Sequence, residues 1–184
     1  MKKIIYFIEF LLVEFFFVIF KIVGYKSASN LGFFIGKNFG SFFRKKKSII
    51  QNLHKSKIAI NISDNQFVDN VLGNYGRILA EYPYLKNFRQ NKLEQFIKID
   101  GTENLNKIKK KNKPVVFISG HFNNFELMAM QIEKNGINLA AIYRPLNNVF
   151  LNKTMEQIRT KYICKNQIRK GRSGTRQILE NLKK

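Results

Sequence analysis

Two residues in the segment Pro114–Met128 have the types and spacing of an acid–base pair. His121 follows an apolar run that ends in Gly120, and Glu126 comes five residues after the histidine, where a new apolar segment begins. Residues five apart on one helix point about 140° apart and do not face each other. We therefore expect His121 in a loop and Glu126 in the first helical turn, so that the carboxylate can fold back to the imidazole. A histidine held in this way can remove a proton from a hydroxyl group.

Both residues also have purely structural interpretations. With Asn123 as the N-cap of the following helix, Glu126 falls at the N3 position and completes an arrangement like a capping box. His121 would then be a histidine enclosed in the core. The order of strand, glycine, histidine, polar turn, carboxylate and helix favours chemistry, because α/β folds carry reactive groups where a strand ends and a helix begins.

Strand and helix patterns alternate in the second half of the chain, around this pair. Phe96–Asp100 alternates as a strand and precedes a polar helix to Lys111, and Val115–Ser119 is predicted to be a buried strand. Strands that alternate with helices predict a mostly parallel sheet. The remaining predicted elements are helix Asn123–Lys134, strand Asn138–Tyr143, helix Asn148–Tyr162 and helix Gly174–Lys184.

An apolar helix is predicted at the start of the chain. Ile4–Phe20 contains fifteen apolar residues, interrupted by Glu9 and Glu14. On an insertion scale each apolar residue contributes roughly −0.3 to −0.6 kcal/mol and each central carboxylate costs about 2.5 to 3.5 kcal/mol, so the two contributions nearly cancel. We expect a retained membrane anchor. The pattern leaves open whether it spans the bilayer or lies along its surface, and a buried soluble helix is the other alternative.

Helical patterns continue beyond this first segment. Three glycines recur at four-residue steps within Leu31–Phe43, which predicts a face of small side chains and a close helix contact. The cationic run Arg44–Lys47 follows and suits an anionic membrane surface. Ser63–Phe88 is predicted to be helical, with Ser63 or Asp64 as its cap.

The charge and the cysteine content bound the possible partners. The formal net charge is +21, which points to an anionic membrane, nucleic acid or an acidic ligand. A/T-rich codon usage is an alternative cause of so many lysines. Aromatic residues lie in apolar runs rather than between the cations, which argues against a nucleic-acid surface. Cys164 is the single cysteine, so no internal disulfide is expected, and no residues have zinc-ligand spacing.

Several segments resemble a known family. Residues 120–126, GHFNNFE, resemble the Gly-His-x-x-Asn-Trp-Glu signature of the late lipid A biosynthesis acyltransferases, within the lysophospholipid and glycerophosphate acyltransferase superfamily. Tyr143–Pro145, followed by Asn147 and Asn148, is similar to the second block of that family. Arg159 matches an arginine on the helix that follows this block.

The resemblance extends along the whole chain, with two departures in its most specific part. The segments RKKKSIIQNL and IDGTE are similar to family segments that precede the histidine block. Asn123 stands where the family usually has glycine, and Phe125 stands where it has tryptophan. Asparagine suits a turn or cap, and phenylalanine keeps an apolar side chain at its position.

The resemblance implies an α/β fold, with N-terminal membrane-associated helices followed by a mostly parallel sheet domain of the glycerolipid acyltransferase type. Residues 1–24 are expected to form a hydrophobic membrane anchor, 25–92 a helical membrane-proximal segment, and 93–184 the N-terminal part of the acyltransferase domain. Family members continue further, so we expect the sheet domain to be incomplete at the C-terminus.

The resemblance also implies acyl transfer from acyl carrier protein, or from acyl-CoA, to a hydroxyl of a lipid A precursor. His121 would be the general base, and Glu126 would orient the imidazole and stabilise its cationic form. Arg144, Arg159 and Asn124 are expected to bind substrate, with a surface or interhelical ion pair as the structural alternative for each arginine. No cofactor, metal or nucleic acid is implied. The expected location is the inner (plasma) membrane, with the catalytic part on the cytoplasmic side.

Three other interpretations are open from the sequence. The acceptor is another glycolipid, such as a phosphatidylinositol mannoside, in the first. The chain is a truncated, inactive membrane-associated protein in the second. In the third it is a basic nucleic-acid binder, which predicts binding that weakens steeply with salt.

Overall fold

The computed structural model of the chain describes residues 1–111 and 113–182. The contacts divide it into two compact units. The first comprises Met1–Val13 and Leu85–Lys184, and the second comprises Glu14–Tyr84. Helix α1 (Lys2–Val23) contributes residues to both units. The functional segments 1–24, 25–92 and 93–184 stay predictions.

The second unit is helical throughout its secondary structure. After the end of α1 it contains α2 (Tyr25–Phe39), α3 (Lys46–Ser56) and α4 (Asp64–Glu81), with short 3-10 turns at Gly40–Phe42 and Tyr82–Tyr84. Ser63 caps α4 by accepting a hydrogen bond from the amide of Gln66, as one of the two predicted caps. The predicted helix over Ser63–Phe88 is therefore confirmed in type, with an interruption at the 3-10 turn.

Glycines bring the backbones of α2 and α4 into contact. A Cβ atom added at Gly36 would overlap the carbonyl oxygen of Leu72, and one added at Gly76 would overlap the carbonyl oxygen of Gly32. No residue with a side chain fits at such an approach. The predicted close helix contact is confirmed, and α4 supplies glycines of its own to it.

A buried polar network joins the same two helices. The hydroxyl of Ser29 donates a hydrogen bond to Glu81 Oε1 at 2.7 Å and accepts one from Arg77 Nη1 at 3.3 Å. The guanidinium of Arg77 also lies 5.0 Å from the centre of the Phe33 ring. Burial and the neighbouring Glu81 carboxylate raise the pKa of Tyr25 to about 12. The buried carboxylate of Glu81 thus has a hydrogen-bond donor, as the burial of a charge requires.

The first unit combines helices with a small parallel sheet. Strands β1 (Ala140–Tyr143) and β2 (Asn166–Arg169) pair in parallel, with Ala140 opposite Asn166, and helix α8 (Val149–Tyr162) connects them. A helix between two parallel strands forms a βαβ unit. The other helices of this unit are α5 (Leu85–Arg89), α6 (Thr102–Lys111), α7 (Glu126–Lys134) and α9 (Arg172–Leu182), with a 3-10 turn at Glu94–Phe96.

Helix α5 holds α7 in the first unit. Arg89 forms an ion pair with Glu133 of α7 and donates a hydrogen bond to the carbonyl of Ile163 at 3.5 Å. Lys134 donates to the carbonyl of Phe88 at 3.5 Å. The buried apolar side chains of this unit include those of Leu85, Phe88, Met130, Ile132, Met155, Ile163 and Ile168.

Of the three segments predicted to be strands, two have no strand in the structure. Phe96–Asp100 and Val115–Ser119 are not strands, because no neighbouring segment in the described part of the chain gives them a hydrogen-bonded ladder. Val116 and Ile118 are 71% and 93% exposed, so the second segment is not buried either. The parallel pairing is confirmed only for β1 and β2, and the fold is mostly helical.

Helix boundaries shift slightly from their predicted positions. Helix α7 begins at Glu126 rather than at Asn123, and α9 begins at Arg172 rather than at Gly174. Helices α6 and α8 agree with their predicted ranges to within one residue.

Within residues 1–111 and 113–182, every helix is too short or carries too many charged residues to cross a membrane. The interpretation of Ile4–Phe20 as a spanning helix is therefore not supported.

We predict that Gly36→Ala lowers the free energy of unfolding of the second unit by about 1–3 kcal/mol, because the new methyl group forces α2 and α4 apart. This loss exceeds the gain of up to ~1 kcal/mol in helix propensity. Urea titration followed by circular dichroism measures it. Gly40→Ala is the matched control, since the atoms nearest its added Cβ are side-chain atoms of Leu72 at 3.1 Å and beyond, and none is a backbone atom. Equal losses in the two variants would contradict the packing argument.

Candidate active site

Glu126 and Arg159 form a buried ion pair that joins α7 to α8. Arg159 Nε donates to Glu126 Oε1 at 2.8 Å, and the two side chains are 16% and 8% exposed. Glu126 is the first residue of α7, where a carboxylate also interacts favourably with the helix dipole. For Arg159, the interhelical ion pair expected as the structural alternative is the arrangement that the structure has.

His121 lies in the segment before α7, which has no regular secondary structure. The residue is exposed, and its ring packs on Phe125 with 4.2 Å between the ring centres. The predicted loop and first-turn positions of the two residues are therefore confirmed. The structure gives Glu126 an ion pair with Arg159, and the hydrogen bond expected between His121 and Glu126 stays a prediction.

The turn that follows His121 has a conformation that rules out the predicted capping box. Asn123 adopts a left-handed conformation with φ of 45°, and Phe125 is the N-cap residue, without a side-chain cap hydrogen bond. Glu126 consequently lies at N1 instead of N3. Asparagine tolerates a left-handed conformation better than most residues, which fits the turn assigned to it from the sequence.

Asn148 fixes the start of α8 and joins it to α1. Its side-chain oxygen accepts hydrogen bonds from the amides of Phe150 and Leu151 at 3.1 and 3.2 Å, as an N-cap does. Its side-chain nitrogen donates to the carbonyl of Tyr6 at 2.8 Å and to Glu9 Oε2 at 2.9 Å. One of the two carboxylates in the apolar N-terminal segment is thus held by protein.

A hydrogen-bonded cluster of Tyr143, Glu156 and Arg169 joins the sheet to α8. The Tyr143 hydroxyl donates to Glu156 and accepts from Arg169 Nε at 3.0 Å, and Arg169 Nη2 lies 2.9 Å from Glu156 Oε2. Burial raises the pKa of Tyr143, and the hydrogen bond to Glu156 adds to this effect. Burial opposes ionisation of Glu156, but hydrogen bonds from Tyr143, Asn152 and Arg169 outweigh it and lower the pKa of Glu156.

The other predicted site residues have different surroundings. Arg144 is exposed directly after β1, and the described residues provide no hydrogen bond or ion pair to it. Asn124 is half-buried, and its carbonyl accepts from the amide of Leu127 at 3.1 Å. Burial raises the pKa of the Cys164 thiol, and Gln167 donates a hydrogen bond to its sulfur at 3.1 Å. A neutral, enclosed thiol is a poor nucleophile.

Sequence reasoning missed two residues that organise the site, Glu156 and Arg169. Glu9 was noted as an interruption of the apolar run, and a carboxylate in such a run is a signal that it has a polar partner, but Asn148 was not predicted as that partner. The spacing of thirteen residues between Tyr143 and Glu156 gives no such signal. Their contact depends on how α8 packs against the sheet.

The arrangement provides an exposed imidazole beside a helix end that is fixed by a buried ion pair. A solvent-accessible imidazole can exchange protons with a bound hydroxyl group. The loop that carries it ends at the first turn of α7, which the ion pair holds. In the described ranges, no three His, Cys, Asp or Glu side chains are grouped as a metal site requires.

Comparison with known proteins identifies the family. The profile of the bacterial lipid A biosynthesis acyltransferases matches residues 1–184, which include His121, Glu126 and Arg159. Neither a curated protein nor a solved structure matches the chain. Since the profile matches the sequence from end to end, the chain belongs to the bacterial lipid A biosynthesis acyltransferase family.

Proposed function

We propose that this acyltransferase moves a fatty acyl chain from acyl carrier protein, or from acyl-CoA, to a hydroxyl group of a lipid A precursor, with His121 as the general base. Family membership gives acyl transfer in lipid A biosynthesis, and with it an acyl donor and a lipid acceptor. The observation that carries the finer proposal is the exposed His121 imidazole in the loop next to the buried Glu126–Arg159 pair.

The reaction needs one group that first accepts and then returns a proton. His121 accepts the proton of the acceptor hydroxyl while the oxygen of that hydroxyl forms a bond to the thioester carbonyl carbon. The carbon–sulfur bond then breaks, and the thiolate leaves with the proton returned by the imidazolium. An ester replaces the thioester, and no covalent enzyme intermediate or cofactor is needed. The buried, neutral Cys164 takes no part.

Glu126 acts in this proposal as a positioning residue in the conformation described. Its carboxylate is held by Arg159, so it anchors the first turn of α7 directly after the loop of His121. The imidazole in turn contacts the tilted ring of Phe125, the residue before Glu126, so it packs directly beside the anchored turn. Arg159 accordingly supports the loop through Glu126.

Arg144 and Asn124 are proposed to contact the acceptor. Arg144 is exposed after β1, and guanidinium groups bind phosphate oxygens in a bidentate manner. Phosphate groups on a lipid acceptor are suitable ligands for it. Asn124 belongs to the turn between His121 and Glu126, which makes it a candidate to hydrogen-bond the acceptor near the reacting hydroxyl.

Membrane attachment is proposed through one face of α1. Six apolar side chains that are each at least half exposed recur at steps of three and four residues, which puts them on a single stripe. Glu9 is held by Asn148, so this carboxylate does not have to enter lipid. A helix with such a stripe can lie in the membrane interface. We propose that the protein binds to the cytoplasmic side of the inner (plasma) membrane. The stripe consists of Ile4, Ile8, Leu11, Phe15, Val18 and Ile22.

We predict that His121→Ala lowers kcat for acyl transfer by about 10²–10⁴-fold, the range that a general base contributes. The full-length protein is assayed with acyl carrier protein thioester and a lipid A precursor, and the products are identified by mass spectrometry. His54→Ala is the matched control, because His54 is the other histidine and pairs with Asp64 in the second unit. Near-normal turnover by His121→Ala, with unchanged thermal unfolding of both variants, would exclude the proposed base.

We predict that Glu126→Gln and Arg159→Met each lower the free energy of unfolding by about 3–5 kcal/mol, because each leaves a buried polar partner without its counter-charge. The double variant should lose less free energy of unfolding than the sum of the two single losses.

In activity assays of these variants kcat should fall while KM changes little, and Arg159→Lys should keep more of kcat than Arg159→Met. Additive stability losses, or a fall confined to KM, would contradict the positioning role.

We predict that the double substitution Ile8→Asp and Phe15→Asp lowers the membrane-bound fraction of the protein several-fold, since carboxylates on the apolar stripe oppose its insertion. Sedimentation of cell membranes followed by immunoblotting measures that fraction. Ser27→Asp with Asn30→Asp adds the same charge to exposed positions of α2 and is the control. Protection of the protein from protease in inverted vesicles would argue against the cytoplasmic side.

A further inference from the structure

An open groove of about 350 Å³ lies in the second unit, between α3, α4 and the segment that connects them. Most of its lining is apolar, including Leu53 on α3 and Val71 and Tyr75 on α4. Arg44 is its cationic lining residue. We propose that this groove binds one acyl chain of an anionic membrane phospholipid, and that Arg44 and the adjacent lysines hold the lipid headgroup.

The walls of the groove suit a hydrocarbon chain. Ile58 is 67% exposed and Tyr75 is 49% exposed, so apolar surface remains open along the groove. Leu53 is buried beneath it and provides a firm apolar floor. The volume falls within the usual range of ligand pockets, roughly 300–1,000 Å³. Apolar surface that is open to solvent beside charged residues commonly marks a binding surface.

The positive charge beside the groove suits a phosphate. Lys45 and Lys47 are exposed, whereas Lys46 lies 4.0 Å from Asp69 and is partly neutralised. Helix α3 begins in this run without an acidic residue in its first turn and without a side-chain cap hydrogen bond. Its N-terminus therefore adds a positive dipole end to those cations.

Two aromatic side chains favour a lipid over another anionic partner. Phe42 and Phe43 immediately precede the cations and are 82% and 88% exposed. Aromatic rings beside basic residues are typical of surfaces that lie at the membrane interface. An acidic protein or a nucleic acid would use the cations but would leave the apolar groove in water. Charge complementarity and the apolar surface together point to an anionic lipid.

This site is separate from the proposed catalytic group. All of its residues belong to the second unit, whereas His121, Glu126 and Arg159 belong to the first. It also differs from the stripe on α1, which would rest on any bilayer without selecting a headgroup. A failure of lipid binding at the groove would therefore leave the proposed acyl transfer untouched, and the reverse also holds.

Photocrosslinking locates the lipid directly. The full-length protein is bound to phosphatidylcholine vesicles that contain a small amount of a photoreactive lipid with a diazirine on one acyl chain. The photoreactive lipid is phosphatidylglycerol in one preparation and phosphatidylcholine in the other. Labelled peptides are then identified by mass spectrometry. We expect the phosphatidylglycerol probe to label the groove around Ile58 and Val71 several-fold more than the phosphatidylcholine probe does. Labelling of α1 by both probes serves as the internal reference for membrane binding.

Two pairs of variants test the groove and the cations separately. Ile58→Asn should lower groove labelling several-fold, while Ile62→Asn, in the same connecting segment but outside the lining, should not. Lys45→Gln with Lys47→Gln should lower it about 25-fold, since each cation near an anionic surface contributes about fivefold in affinity. Lys109→Gln with Lys110→Gln removes the same charge from the end of α6 and should leave the labelling unchanged.

Several results would overturn the proposal. Labelling confined to α1, or equal labelling of the groove by the two probes, would exclude a site for an anionic lipid. Equal effects of Ile58→Asn and Ile62→Asn, or of the two lysine pairs, would mean that the groove and its adjacent cations are not what the lipid contacts. Circular dichroism of each variant verifies that its helices are intact.

Discussion

A single buried ion pair fixes the part of the molecule that carries the candidate chemistry. Glu126 and Arg159 hold the first turn of α7 against α8, and the loop of His121 ends at that turn. Removing two charges from water is costly unless each has a close partner, so the pair constrains the two helices to one arrangement. The imidazole itself stays exposed, which is what a group that must meet a substrate requires.

Other polar side chains hold the elements around this pair. Asn148 caps α8 and at the same time binds Glu9 of α1, so one amide group positions two helices. On β1, Tyr143 shares a hydrogen-bonded cluster with Glu156 and Arg169, which connects α8 to both strands. Helix α8 is consequently held at its start, along its length and through the ion pair near its end. A small sheet with two strands can carry a defined site because of these contacts.

The second unit is held together by a different interaction, the close packing of α2 against α4. Glycines of α2 and α4 allow the two backbones to touch, and close contact gains dispersion energy over a long helical surface. The buried network of Ser29, Arg77 and Glu81 adds directional hydrogen bonds to that contact. The groove between α3 and α4 lies outside this close seam, where the connecting segment leaves apolar side chains uncovered.

The sequence by itself determined the helices, the family and the identity of the candidate base. Helical periodicity, the glycine spacing and the capping residue Ser63 act over a few neighbouring residues, so they can be read along the chain. Which segments pair as strands, and which side chains form ion pairs, was decided by the tertiary structure. Apolar runs such as Val115–Ser119 look like strands, but a strand exists only where another strand is available for pairing. Glu126 has Arg159 as an ion-pair partner, because the packing of α8, thirty-three residues away in sequence, brings a guanidinium to it.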